Sequence, residues 1–175
     1  MEHSPRAQEL LTALCAALPA LRPLEEGDLP QVLTLYQRNT FYNSVALEAP
    51  PTLKSCQEDL AALPPGRELR HKLFLGLFQG AVLAAVLDLV EGYPDEGSLY
   101  IGLLELAVEF HRQGLGTRLV RALKTAAGEA GFSALRLGCY DRNTPGMAFW
   151  NAMGFEKEGA VLREGRVLHK MFLPL

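Results

Sequence analysis

The sequence predicts an α/β fold of the α+β kind, built on one mixed sheet. Three observations carry this. Helical periodicity governs the chain up to about Leu63. Two near-continuous apolar runs follow from Lys72, separated by Gln79-Gly80. Helical and strand patterns then alternate before a last pair of strands and a turn at Glu164-Gly165. The order is therefore helices, hairpin, strand, helix, strand, helix, hairpin.

Each element has its own signal. From Pro5 to Leu18 the leucines at 10, 11, 14 and 18 recur at helical spacing, and Pro19 ends the run. Ala20 to Leu24 reads as a short strand. Asp28 is placed to cap a helix carrying Val32, Leu33 and Tyr36. A polar, aromatic loop is expected from Asn39 to Pro51, then a helix from Thr52 to Leu63 that stops at Pro64-Pro65. The runs 72–78 and 81–87 are apolar on both faces, as in strands covered on both sides. The two-residue link between them suits a tight hairpin. Another such run extends from Leu99 to Val108. Leu115, Leu119, Leu123, Ala126 and Ala130 form a helical stripe, and Leu135 to Cys139 alternates as a strand. Thr144-Pro145 puts a capping residue before proline at a helix start, and Gly154 suits its end. Glu156 to Leu162 and Val167 to Leu173 are the final strands.

Composition excludes several classes of function. The chain has 175 residues, 49% hydrophobic and 21% charged, with a formal net charge of -3. Such a chain buries a sizeable core without disulfides or metals. Its near-balanced charge does not suit a nucleic-acid binder, which is usually strongly basic. Cys15, Cys56 and Cys139 are odd in number and widely spaced, so neither a zinc site nor a disulfide framework is expected. Reduced thiols point to the cytoplasm. His3, His71, His111 and His169 have no metal-ligand spacing, and no metal is expected. The start of the chain lacks the basic-then-apolar order of a signal peptide, and no apolar run is long enough to cross a bilayer.

The charge is unevenly distributed. From Leu73 to His111 there is no lysine or arginine, yet there are six carboxylates: Asp88, Glu91, Asp95, Glu96, Glu105 and Glu109. From Arg112 to the end there are ten Lys/Arg against five Asp/Glu. Scatter over a solvated surface is one reading. The other is that one half meets an anion and the other a cation.

The boundary between these halves is the most informative segment, Val108-Glu-Phe-His-Arg-Gln-Gly-Leu-Gly-Thr117. A strand is expected to end at Val108 and a helix to begin near Gly114. The glycines allow a sharp turn and close approach, and the free N–H groups of the first helical turn make a phosphate site. The P-loop is excluded because no Gly-Lys-Ser/Thr is present. The dinucleotide fingerprint needs a glycine where the chain has Leu119, and it would lie in the first strand-helix unit.

His111-Arg-Gln-Gly-Leu-Gly116 resembles the Arg/Gln-x-x-Gly-x-Gly/Ala loop of the GNAT acyltransferases, with His111 at the first position. The surrounding residues extend the resemblance. Leu106-Ala107-Val108 precedes the loop, and Asn143, Gly146, Trp150 and Gly154-Phe155 follow at the family's spacing. The resemblance covers roughly residues 20–173 and is strongest from Leu99 to Phe155. It implies a mixed, mostly antiparallel central sheet with helices on both faces. It also makes 1–175 a single domain, with the helix over about 5–18 as an N-terminal addition.

The resemblance further implies acetyl-CoA as cosubstrate. Backbone groups of Leu106 and Val108 would pair with the pantetheine arm. The amides of Gln113, Gly114, Leu115, Gly116 and Thr117 would hold pyrophosphate, helped by the Thr117 hydroxyl and by Arg112 or Arg118. Asn143 would bond the arm and Trp150, with Phe149, would flank it. Plainer readings are a turn residue for Asn143, core packing for the aromatics and a solvated helix face for the arginines. The implied activity is direct N-acetyl transfer to a small-molecule or peptide amine in a ternary complex, by a monomer or homodimer. The first two helices and the loops after them, over about residues 39–69, would shape the acceptor pocket.

The catalytic positions depart from the family. Trp150 stands where many members have an acidic tyrosine, and Gly102 where some have a glutamate. Tyr140 is the nearest tyrosine in sequence. Glu105, facing away from Leu104, Leu106 and Val108, and Asp88, interrupting an apolar strand, are the candidate carboxylates. Tyr93 is a candidate for the acceptor pocket. Cys139 alternates with Leu135 and Leu137 and reads as core. The acidic stretch predicts a cationic acceptor. Two rival readings are a non-catalytic acyl-CoA-binding module, motivated by the missing tyrosine and glutamate, and a nucleotide-binding domain.

Overall fold

The computed structural model describes residues 2–175. Ser4 starts the first helix, α1 (Pro5–Ala17), by accepting a hydrogen bond from Ala7 N at 3.1 Å. Ala7, Leu10 and Leu14 form its buried face. A short strand, β1 (Leu21–Pro23), leads through a single 3₁₀ turn to α2 (Leu29–Arg38). Asp28 precedes α2, but its carboxylate binds Arg22 and Glu25 N instead of capping the helix.

The expected loop after Asn39 is instead a short helix, α3 (Thr40–Ala46). Its Thr, Asn, Ser and Val are weak helix formers, so local propensity gave no warning. Tertiary bonds hold it: Asn43 Nδ2 donates to Tyr36 O at 2.8 Å, and Val45 and Ala46 are buried. The next helix, α4 (Leu53–Ala61), begins at Thr52 with reciprocal Thr52–Ser55 capping bonds.

Seven strands form one sheet in the order β1-β2-β3-β4-β5-β7-β6. The others are β2 (Lys72–Gln79), β3 (Val82–Glu91), β4 (Ser98–Leu106), β5 (Ala134–Tyr140), β6 (Glu156–Arg163) and β7 (Arg166–Pro174). All neighbours are antiparallel except β4 and β5. The mixed, mostly antiparallel sheet is therefore present. β3 runs past Asp88 to Glu91, so Asp88 lies within a strand and not at its end.

Helix α5 (Leu115–Glu129) follows β4, and α6 (Thr144–Ala152) follows β5. One sheet face packs Leu75, Leu87, Leu99 and Leu135 with Leu10, Leu14, Leu119, Leu123 and Trp150. The opposite face packs Phe74 and Val86 with Val32, Leu35, Tyr36 and Cys56. Helices thus cover both faces, which explains why β2 and β3 are apolar throughout. Arg6 of α1 donates to the carbonyls of Ala130 and Gly131 at the end of α5, where a cation is favoured. Among the described residues no helix is long and apolar enough to cross a membrane.

The sheet opens at its centre. β4 and β5 pair only from Ser98–Ala134 to Ile101–Leu137. Against β3, the pairing steps from Ile101–Leu89 to Leu103–Asp88, so Gly102 has no partner and forms a bulge. Beyond it β4 follows β3 to Leu106, whereas β5 follows β7 to Tyr140. The two strands diverge and leave facing edges unpaired.

Candidate functional site

The divergence of β4 and β5 opens a cavity of about 1150 Å³. Residues from α2, α3 and α4 wall one side, and the start of α5 with α6 walls the other. Of the site residues expected from sequence, Asp88, Glu105, Leu106, Val108, Gly114, Leu115, Gly116, Thr117, Tyr140, Asn143 and Trp150 all line it. Gln113 does not; its side-chain amide turns back to Glu109 O at 2.5 Å.

The loop into α5 has the geometry of an anion site. Gly114 stands just before the helix at φ 77°, in the left-handed region, and no side chain caps this end. The N–H groups of Leu115, Gly116 and Thr117 therefore have no acceptor inside the helix. The helix dipole adds positive potential there. Gly116 serves packing as well: a Cβ would meet the Phe149 ring at 3.3 Å. Arg38 pairs with Glu109 across the loop.

The strand before the loop ends earlier than expected. β4 stops at Leu106, and Val108–Phe110 forms a 3₁₀ turn. Val108 therefore lies outside the β4 ladder; its carbonyl accepts from His111 N at 3.3 Å, and the residue still lines the cavity. Leu106 can act as an added-strand partner only in part. Ala107 N bonds Ala84 O across to β3, so strand alternation directs the Leu106 N–H and C=O into the cleft. Its carbonyl already accepts from Asn39 Nδ2 at 2.9 Å and pairs with His111 Nε2 at 2.9 Å. The N–H remains for a ligand.

Asp88, Leu103 and Glu105 share one face of the sheet, toward α2–α4. Glu105 is 7% exposed, and burial pushes its pKa up to about 8. Asn39 Nδ2 donates to Glu105 Oε1 at 2.7 Å and opposes that rise, while Asp59 adds to it. Asp88 pairs with the buried Lys72 at 2.7 Å, and its carboxyl is raised because desolvation outweighs this attraction. Asp59, on α4, is raised by burial too, against the pull of the nearby Tyr36 hydroxyl and Lys72. Tyr42 on α3 is pushed far above the ordinary phenol range by burial, with Glu105 and Tyr140 as the next contributors. The site thus joins Glu105, Tyr42 and Tyr140 from three separate elements.

The residue that caps α6 is Asn143 and not Thr144: Asn143 Oδ1 accepts from Gly146 N at 3.1 Å. This places the asparagine at the expected helix start but commits its oxygen to the cap. Trp150 is 8% exposed and packs edge-to-face on Phe149 and Phe155, while still lining the cavity. Tyr93 lies outside the cavity lining and packs edge-to-face on Tyr100, with ring centroids 5.1 Å apart. Cys139 is buried in the core, as expected.

Asn39, Tyr42 and Asp59 were not legible as site residues. Asp59 lies three residues after the buried Cys56 on an amphipathic helix, so its position on the buried stripe was an available signal. Asn39 and Tyr42 gave none, because the segment carries no periodic pattern.

The acetyltransferase (GNAT) family model matches residues 32–155. The fold is similar to an acetyltransferase from Thermus thermophilus, with TM-score 0.71 and 27% identity over 89% of this chain and 96% of that one. It is also similar to the ribosomal-protein-S18-alanine N-acetyltransferase of Escherichia coli, with TM-score 0.66 and 20% identity over 88% and 92%. A third similar structure is PaiA N-acetyltransferase from Thermoplasma acidophilum in complex with coenzyme A, with TM-score 0.65 and 18% identity over 89% and 98%. Comparison with curated proteins gives no match.

Proposed function

The chain belongs to the acetyltransferase (GNAT) family, and from that premise we propose that it transfers an acetyl group from acetyl-CoA to a primary, cationic amine by direct transfer. The residues present fit this donor. The uncapped start of α5 supplies amides for a pyrophosphate, from Gly114 to Thr117. Arg112 and Arg118 flank it with positive charge. The Leu106 N–H is a free backbone donor of the β4 edge, suited to polarising a carbonyl oxygen. Asn143 and Trp150 wall the arm on the far side. When bound, acetyl-CoA supplies an activated acyl group as a thioester.

The observation that carries the reading is Glu105: a buried carboxyl in the cleft, bonded only to a neutral amide, with a pKa of about 8. Such a group takes a proton from an ammonium near neutral pH, where an exposed carboxylate would be too weak a base. The proton balance is simple. An entering ammonium gives one proton to Glu105, and its nitrogen lone pair forms the new C–N bond as the C–S bond breaks. The second amine proton ends on the departing sulfur, for which Tyr140, on the same face of the sheet, is the donor of choice. Glu105 then returns its proton to solvent.

The cavity charge supports a cationic acceptor. Among the described residues, Asp59, Asp88 and Glu105 line its α2–α4 side, and Lys72 pairs with Asp88 alone. The sparse, widely spaced cysteines suit a cytoplasmic setting. The test is thiol release from acetyl-CoA over a panel of cationic, neutral and acidic amines, including a peptide N-terminus. Turnover concentrated on cationic amines supports the reading. Preference for acidic amines overturns the acceptor class, and no turnover above hydrolysis with any amine overturns transfer.

A further inference from the structure

We infer that Asn39 is a positioning residue: its side-chain amide fixes the Glu105 carboxylate in the cleft and sets the readiness of that carboxylate to take a proton. This rests on the reading of Glu105 as the base. Asn39 is 4% exposed and stands between α2 and α3, at φ −82° and ψ 59°. Its amide nitrogen carries two hydrogens and faces three acceptors. Two are close, Glu105 Oε1 at 2.7 Å and Leu106 O at 2.9 Å; Leu35 O is distant at 3.4 Å. The two hydrogens therefore go to neighbouring residues of β4. One fixes the carboxylate, and the other fixes the carbonyl beside the Leu106 N–H.

The chemistry of the donor matters as much as its place. An arginine or lysine here would hold Glu105 ionised and too weakly basic to act. An apolar residue would leave the carboxyl protonated to still higher pH. A neutral amide lies between these limits. The second oxygen, Oε2, receives no bond from the described residues, and Glu105 lines the cavity. The hold on Oε1 therefore leaves Oε2 for the acceptor. The other ionisable groups around Glu105 are Tyr36 of α2, Tyr42 of α3, Cys56 and Asp59 of α4, the Lys72–Asp88 pair of β2 and β3, Tyr140 of β5, and His111, which bonds the neighbouring Leu106 O. None of them hydrogen-bonds its carboxylate.

The experiment titrates Glu105 in the protein without either substrate, by ¹³C NMR of side-chain carboxyls, with Glu105→Gln identifying the resonance. Asn39→Ala is expected to raise the Glu105 midpoint by about one to two pH units, the worth of a hydrogen bond to a charged group. Asn39→Asp, nearly isosteric, is expected to raise it further by adding a second carboxyl. An unchanged midpoint in both variants overturns the inference. Should either variant fail to fold, the wild-type protein decides: the Asn39 side-chain amide signals must inflect at the Glu105 midpoint and lose that inflection in Glu105→Gln. Their indifference to pH overturns it equally. With an acceptor in hand, the rising limb of kcat/KM must move with the midpoint, whereas a merely structural role lowers the rate without moving the limb. Because the titration needs no acyl transfer, a failed amine panel beside a shifted midpoint sinks the proposed function and not the hold of Asn39 on Glu105.

Discussion

Lys72 Nζ donates to Asp88 Oδ1 at 2.7 Å, and only 3% of the lysine side chain and 14% of the aspartate side chain are exposed. Two charges have been taken from water together, on adjacent strands beneath the cavity. Lys72 also donates to Ala62 O at 2.9 Å, at the end of α4, so the pair ties that helix to the sheet. Removing one partner strands the other in a poorly hydrated place. Asp88→Ala is therefore expected to destabilise the fold by about 3–5 kcal/mol. Urea unfolding at neutral pH measures this, and a loss below about 1 kcal/mol would show that the pair is better hydrated than its burial implies.

The bulge at Gly102 is shaped by the same carboxylate. A Cβ at Gly102 would lie 2.6 Å from Asp88 Oδ2 and 3.2 Å from Asp88 Cγ. Asp88 cannot turn aside without leaving Lys72. Gly102→Ala should cost about 1–3 kcal/mol, as for overpacking elsewhere. The cost should largely vanish when Asp88 is already alanine. A double-mutant cycle on unfolding free energy tests this, and strict additivity of the two changes would sink it.

These two residues also mark how far the sequence could be read. The strands were legible because apolar runs on both faces have few alternatives, and α1, α5 and α6 because their periods and stop signals agree. The Gly114–Thr117 loop was legible because its glycines and the following helix imply one local geometry. The bulge was not recognised, although Gly102, an isolated glycine inside an apolar strand, is itself a signal for one. Nor was α3, whose residues are weak helix formers and which Asn43 ties to Tyr36 O. The site behaved likewise: Glu105 and Asp88 stood out as charges in apolar strands, while Asn39 acquired meaning only when the end of α2 was laid against β4.

The start of α5 makes a separate prediction. Gly116→Glu would put bulk against Phe149 and negative charge among amides that suit phosphate. Thermal stabilisation by coenzyme A should be lost, with ATP and NAD giving little in either protein. Thr117→Glu separates charge from packing, because Thr117 is half-buried and an acidic residue in the first helical turn favours the helix itself. That variant should keep or raise its own melting temperature while its response to coenzyme A falls at least tenfold in apparent affinity. Undiminished binding by Thr117→Glu would move the pyrophosphate away from this helix.

Glu105 should reveal itself in stability as well as in rate. Its pKa in the folded protein is about 8, well above the ordinary carboxyl value, because burial disfavours the charge. The folded state therefore holds this proton more tightly than the unfolded state does. The favourable contribution is complete below the unfolded pKa and fades as pH rises through the folded one, between about pH 4 and 8. Glu105→Gln removes the titrating group and keeps an acceptor for Asn39. Relative to wild type it should be near neutral at pH 4 and gain up to about 5 kcal/mol above pH 8. Acetyl transfer should meanwhile fall by about 10²–10⁴-fold, the usual worth of a general base. Paired urea titrations across pH 4–9, beside kcat/KM on one amine, test both halves. A stability difference that is flat with pH would mean that Glu105 titrates normally and cannot be the base, whatever the rate of the variant.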